Sequence, residues 1–107
     1  MPHSVKLTAD AERDLSDIFR YVARQDGPAQ AGAVLDRLEE AVRSLGSLPG
    51  RGNFPPEQER IGVRAFREIH AVPWRILYQV QGRTVFVLCV LDARRDVQAQ
   101  LQERLLR

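Results

Sequence analysis

Apolar residues recur at helical spacing through the first half of the chain and crowd into short β-branched and aromatic runs in the second. Residues 4–7 alternate weakly, with Val5 and Leu7 on one side, and Thr8 follows as a helix N-cap with Asp10 and Glu12 in the first turn. From Ala11 onward, Leu15, Ile18, Phe19 and Val22 form one stripe, while Arg13, Asp14, Asp17 and Arg20 take the other face. The pattern predicts a short strand leading into a helix over residues 9–24. Asp26-Gly27-Pro28 breaks that helix, because glycine ends helices and proline suits the first turn of the next. A second stripe follows at Ala31, Leu35, Leu38, Val42 and Leu45. The break is so short that the two helices must return antiparallel as a hairpin.

Residues 46–56 contain three glycines and three prolines and read as a loop. Beyond them, residues 63–70, 74–80 and 84–91 read as a three-stranded antiparallel meander, with turns at Ala71-Val72-Pro73 and Gln81-Gly82. The run 85–91 is apolar on both faces, as in a strand covered on both sides. One cover is the C-terminal stretch 97–107, whose Val97, Leu101, Leu105 and Leu106 fall at helical spacing; the other is a partner molecule.

Length and composition narrow the class. A chain of 107 residues with 44% hydrophobic and 28% charged residues is expected to form one globular domain, residues 1–107. The longest apolar run is far below the roughly 20 residues that cross a bilayer, so no membrane partner is expected and a cytoplasmic location is. The single cysteine, Cys89, lies inside that run and reads as a buried, inert thiol. His3 and His70 give no metal-ligand spacing, no serine has the context of a nucleophile, and Gly50-Arg51-Gly52 is too short and wrongly placed for a phosphate loop. Neither metal nor cofactor is expected. Trp74 and Tyr78 share a strand face by period two and read as core packing. Charge is uneven: residues 1–48 carry six basic and eight acidic side chains, residues 49–107 ten and six. Of the 16 basic residues only Lys6 is lysine, so nearly every positive charge is a planar fork suited to carboxylate or phosphate.

Four segments in order carry a family resemblance: Leu7-Thr8-Ala9-Asp10-Ala11-Glu12-Arg13-Asp14-Leu15, Leu48-Pro49-Gly50-Arg51-Gly52, Trp74-Arg75-Ile76-Leu77-Tyr78-Gln79-Val80 and Val90-Leu91-Asp92-Ala93-Arg94-Arg95-Asp96. With the element order, they resemble the RelE/ParE superfamily of toxins from bacterial type II toxin-antitoxin modules over nearly the whole chain. The resemblance implies an α+β fold, an antiparallel sheet with the helical hairpin of residues 9–47 on one face and a short C-terminal helix. It also implies a cognate, ParD-like antitoxin that folds onto the toxin in a hetero-oligomer.

RelE-like members cleave mRNA on the ribosome, which requires a proton acceptor, a proton donor and cations at the phosphate. Counting from Arg75, which matches their third-strand arginine, their second-strand lysines fall on Phe66 and Glu68. Arg95 matches the arginine after the last strand, but the C-terminal tyrosine falls near Leu101, Asp92 stands where many relatives have histidine, and no Tyr or His follows Tyr78. The resemblance therefore points to the ParE branch, which poisons DNA gyrase by binding and needs no catalytic residue. The alternatives are a ribosome-dependent endoribonuclease and a non-toxic binding member. Arg51, Arg60, Arg64, Arg67, Arg75, Arg94 and Arg95 cluster in the basic half, and Arg94, Arg95, Arg75, Arg64 and Arg67 are the expected target-binding anchors. The competing reading pairs several of them with Glu57, Glu59, Glu68, Asp92 and Asp96, with Asp96 orienting Arg94 and Arg95. Leu15, Phe19, Leu38, Trp74 and Leu101 are the expected antitoxin contacts.

Overall fold

The computed structural model describes residues 2–56 and 66–105. Strand β1 (Ser4–Leu7) passes directly into α1 (Ala9–Asp26) through Thr8. The Thr8 hydroxyl accepts from Ala11 N at 3.1 Å and donates to Leu88 O at 2.8 Å, so one residue caps the helix and ties it to the sheet. Gly27, with φ 91°, closes α1 by donating to Ala23 O, and its carbonyl receives Ala31 N to open α2 (Pro28–Ser47). A side chain at that dihedral would be strained, which is why glycine and not merely a small residue stands there. Helix α1 starts where expected and runs two residues past its expected end at residue 24, and α2 ends at Ser47, two residues into the stretch read as loop, so the hairpin spans the expected residues 9–47.

Strands β2 (Arg67–Ala71), β3 (Trp74–Gln81) and β4 (Thr84–Asp92) form the antiparallel meander, and the sheet order is β1-β4-β3-β2. The start expected for the first meander strand, residues 63–65, lies outside the described residues. The sheet is mixed and not wholly antiparallel, because β1 pairs with β4 in parallel, Val5 opposite Val85 and Leu7 opposite Val87. The chain between them runs through the helical hairpin, β2 and β3, so β4 enters beside β1 in the same direction.

A bulge interrupts the β3–β4 ladder: Leu77 pairs with Cys89 but Tyr78 with Val87, leaving Leu88 as the extra residue. Val85, Val87 and Val90 consequently pack with Leu38, Leu45, Ile76 and Tyr78 under the hairpin, while Cys89 and Leu91 turn to the opposite face. There α3 (Val97–Leu105) covers them, packing Val97 and Leu101 against Leu77, Cys89 and Leu91. This is why the last strand is apolar on both faces. Burial pushes the Cys89 thiol up to about 12, which suits a packing role and not that of a nucleophile.

β1 ends at Leu7, yet β4 continues to Asp92, and its backbone groups on that edge need other partners. Thr8 N reaches Val87 O, the Thr8 hydroxyl reaches Leu88 O, and Asp14 Oδ2 accepts from Val90 N at 2.9 Å. Helix α1 thus continues the edge that β1 leaves.

Candidate functional site

Two groups of polar side chains stand out, one over β2 and β3 and one at the end of β4. The first is closed. Glu68, 2% exposed, accepts from Arg75 Nε at 2.6 Å and from Arg75 Nη2 on one oxygen; the other is 3.2 Å from Asn53 Nδ2 and 2.9 Å from His70 Nε2. Arg75 is itself only 7% exposed, so its guanidinium is spent inside the protein. Period two places Glu68, His70 and Arg75 on one sheet face, with His70 directly opposite Arg75. Arg67 points elsewhere: it donates to Gly52 O at 2.9 Å and lies 4.4 Å over the Phe54 ring.

These contacts hold down the loop after α2. Backbone bonds in both directions join Asn53 to Glu68, and the buried Tyr78 hydroxyl donates to Pro49 O at 2.8 Å while accepting Gly52 N at 2.9 Å. A Cβ on Gly52 would fall 2.4 Å from Glu68 O, so only glycine lets the loop come this close. Tyr78→Phe leaves the Gly52 amide without its acceptor, and we expect a loss of about 1–3 kcal/mol, read as a lower urea midpoint at unchanged slope. Function should fall only in step with that loss; a disproportionate fall would mark Tyr78 as a proton-transfer group.

The second group is open. After β4 the chain turns sharply: Ala93 N donates to Pro73 O and Arg95 N to Asp92 O. Asp92 Oδ1 accepts from Arg94 N at 2.9 Å and Arg94 Nε at 3.0 Å, and Oδ2 from Arg94 Nη2 at 3.0 Å. The Arg94 hydrogen bond holds the Asp92 carboxyl below the usual carboxylate range, so the fork persists at mildly acidic pH. Asp96, expected to orient the arginine pair, instead caps α3 by accepting Ala99 N; Asp92 is the orienting carboxylate, and for Arg94 alone. The start of α3 decides this, since its first-turn amide at Ala99 claims the Asp96 carboxylate.

A cleft of about 400 Å³ opens between this corner, α1 and α3. Asp14, Asp17 and Tyr21 come from α1, and Trp74 and Val90 form the apolar floor. Arg94 and Arg95 enter from the corner and Arg104 from α3. Arg104 clamps α3 to α1, reaching Asp14 at 2.6 and 3.0 Å and Asp10 at 3.3 Å. Its pKa is raised, first by the hydrogen bond to Asp14. Asp17 pairs with Arg20 at 3.0 Å. Among the described residues, Arg95 is the charge lining the cleft whose side chain has neither a hydrogen bond nor an ion pair.

The expected anchors therefore do not form one patch. Arg94 and Arg95 share the cleft, Arg67 is half-buried against the loop, Arg75 is interior, and Arg64 and Arg60, with Glu57 and Glu59, lie outside the described residues. Arg51 donates to Ser44 Oγ. The burial of Arg75 corrects its expected exposure: the arginine sits where Glu68 can neutralise it on the same face. Of the expected antitoxin contacts, Leu15, Leu38, Trp74 and Leu101 have their side chains in the chain's own cores, since stripe positions are those the fold buries first; Phe19 is half-buried beside a groove with Arg20, Ala23 and Arg24. Sequence reasoning missed Asp14, which it placed on the solvent face, and Arg104. A signal existed: Asp10 and Asp14 are like charges four apart on one helix face, an arrangement that costs stability unless a cation bridges them.

No described helix is long and apolar enough to cross a membrane, and no group of three or more His, Cys, Asp or Glu among the described residues could hold a metal ion. Residues 5–97 match the family model described as ParE toxin of type II toxin-antitoxin system, parDE. The chain is 33% identical over 97 residues to Toxin ParE3 of Caulobacter vibrioides, spanning 91% of this chain and 93% of that protein. To Toxin ParE of Escherichia coli it is 34% identical over 101 residues, spanning 92% and 93%. Among solved structures it superposes on a chain of the chromosomal ParDE TA system from P. aeruginosa with a TM-score of 0.72 at 22% identity, over 84% of this chain and 95% of that one. For the toxin-antitoxin complex RelBE2 from Mycobacterium tuberculosis the TM-score is 0.58 at 26% identity, over 86% and 92%. A match along nearly the whole chain, at an identity shared with two named toxins, places the chain in the ParE toxin family of bacterial type II toxin-antitoxin systems.

Proposed function

We propose that this chain arrests bacterial growth by binding DNA gyrase in the cytoplasm and trapping it on cleaved DNA, and that a cognate ParD-like antitoxin neutralises it. The observation that carries the reading is the fate of Arg75. At the position matching the third-strand arginine of the RNA-cleaving relatives, the guanidinium is buried against Glu68 and cannot reach a phosphate. Tyr78, the last tyrosine of the chain, has its hydroxyl buried between Pro49 and Gly52. Arg94 and Arg95, by contrast, are exposed on the turn after β4, a corner suited to contact and not to proton transfer. Support for an antitoxin comes from the matched structures, one described as a ParDE system and one as a toxin-antitoxin complex. Its helix fits the α1 face beside Phe19, where apolar area is accessible between Arg20 and Arg24 and acidic residues would be met.

Induction in a sensitive bacterium with two readouts tests the reading. DNA breaks with induction of the damage response, relieved by co-expressed antitoxin, are expected; cleavage of ribosome-bound mRNA without breaks would replace gyrase with the ribosome as target.

A further inference from the structure

Arg94 and Arg95 are neighbours in sequence but not in chemistry. Arg94 is committed twice to Asp92, through its main-chain N–H and through two guanidinium nitrogens. Arg95 has its backbone fixed by the bond from its N–H to Asp92 O, while its exposed side chain lines the cleft with no ion-pair partner among the described residues. The corner is tied on its other side too, since Gln100 Nε2 reaches Asp92 O at 3.1 Å. With the backbone already fixed, binding has only the rotamers of the side chain left to order.

Resting on the gyrase reading above, we infer that Arg95 is the target-gripping cation, that it takes one carboxylate of a protein surface and not the DNA backbone, and that Asp92 and Arg94 are positioning residues for it. The cleft walls decide between the two anions. DNA brings a row of phosphates, one charge per roughly 1.7 Å of helix axis. Asp14, Asp17 and Asp92 pair with Arg104, Arg20 and Arg94, so among the described residues the cleft offers Arg95 as its one unspent cation and no row of cations to match a row of phosphates. A single carboxylate needs one guanidinium and can be held by both arms of its fork. Tyr21, 51% exposed on the α1 wall, supplies apolar surface alongside.

The test uses the full chain in two assays. Growth arrest on induction reads Arg95 whatever the target; gyrase-dependent plasmid cleavage by purified protein reads whether gyrase is that target. Arg95→Ala should raise the half-effective concentration about thirtyfold or more at unchanged Tm, with Arg95→Lys between it and wild type. Asp92→Asn and Arg94→Ala should each lose several-fold, and neither should add to Arg95→Ala, a non-additivity that mere loss of structure would not give. Between about 50 and 200 mM salt, potency should fall less than tenfold, where six to ten phosphate contacts would cost about 10³–10⁵-fold. An Arg95→Ala variant as toxic as wild type overturns the inference and spares the gyrase reading. Wild-type arrest without gyrase-dependent cleavage overturns the gyrase reading, and loss of that arrest in Arg95→Ala would still support the anchor. Wild-type binding to a bare duplex that Arg95→Ala abolishes overturns the choice of carboxylate.

Discussion

Glu68→Ala should destabilise the protein by about 3–5 kcal/mol, because it takes the two-pronged carboxylate acceptor away from a buried guanidinium. Arg75 has its Nε 2.6 Å from the carboxylate and is 7% exposed, so water cannot take over from the lost oxygen without opening the sheet face. Asn53 and His70 lose an acceptor in the same step, and the loop that Asn53 bridges to β2 loses one of its ties. The contrast that identifies the cause is the double variant Glu68→Leu with Arg75→Met. Removing both charges and keeping the volume should recover most of the loss, since breaking a buried pair from one side costs more than the pair contributes. Urea unfolding of the three proteins measures this directly. A single-variant loss below about 1 kcal/mol would mean the pair is solvated, as surface pairs are. Arg75 would then be available as an anchor after all.

The second large effect belongs to Asp14. Its Oδ2 accepts from Val90 N and from Arg104, and its Oδ1 from Arg104, so one side chain closes the β4 edge and fastens α3. Asp14→Ala leaves a buried amide unpaired, at about 1–3 kcal/mol, and removes an ion pair whose partly exposed arginine adds at most about 1 kcal/mol. We expect a total loss of about 2–3 kcal/mol. Hydrogen exchange separates the parts. In Asp14→Ala both the Val90 amide and the α3 amides should exchange faster; in Arg104→Ala only α3 should, because Asp14 still holds Val90. Equal protection of Val90 in both variants would show that the amide does not depend on the carboxylate.

Much of the fold is legible in the chain because local chemistry and global packing agree. Thr8, Gly27 and Pro28 mark helix ends by their own backbone requirements, and the stripes from Leu15 to Val22 and from Ala31 to Leu45 face one core. The two-faced apolar run in β4 correctly asks for a second cover, and α3 provides it. The parallel partnership of β1 with β4 is less visible, because it joins residues some 80 positions apart and leaves no local mark. The site is legible in outline only. That Arg94 and Arg95 follow a buried strand is evident from the sequence. That Asp92 takes Arg94, that Glu68 takes Arg75 and that Arg104 takes Asp14 are choices among many carboxylates, settled by which face and which turn each side chain occupies. Of the expected antitoxin contacts, Leu15, Leu38, Trp74 and Leu101 also pack in the chain's own cores, and periodicity marks such positions as apolar without saying which apolar surface meets them.

The claim that the chain is a gyrase poison is tested most directly with purified protein, gyrase and a closed circular plasmid, stopped with detergent and protease. Linear plasmid that accumulates with toxin concentration, needs gyrase, and disappears when purified antitoxin is added first is the result expected. Full gyrase activity with no linear DNA, at toxin concentrations that arrest growth, would contradict it.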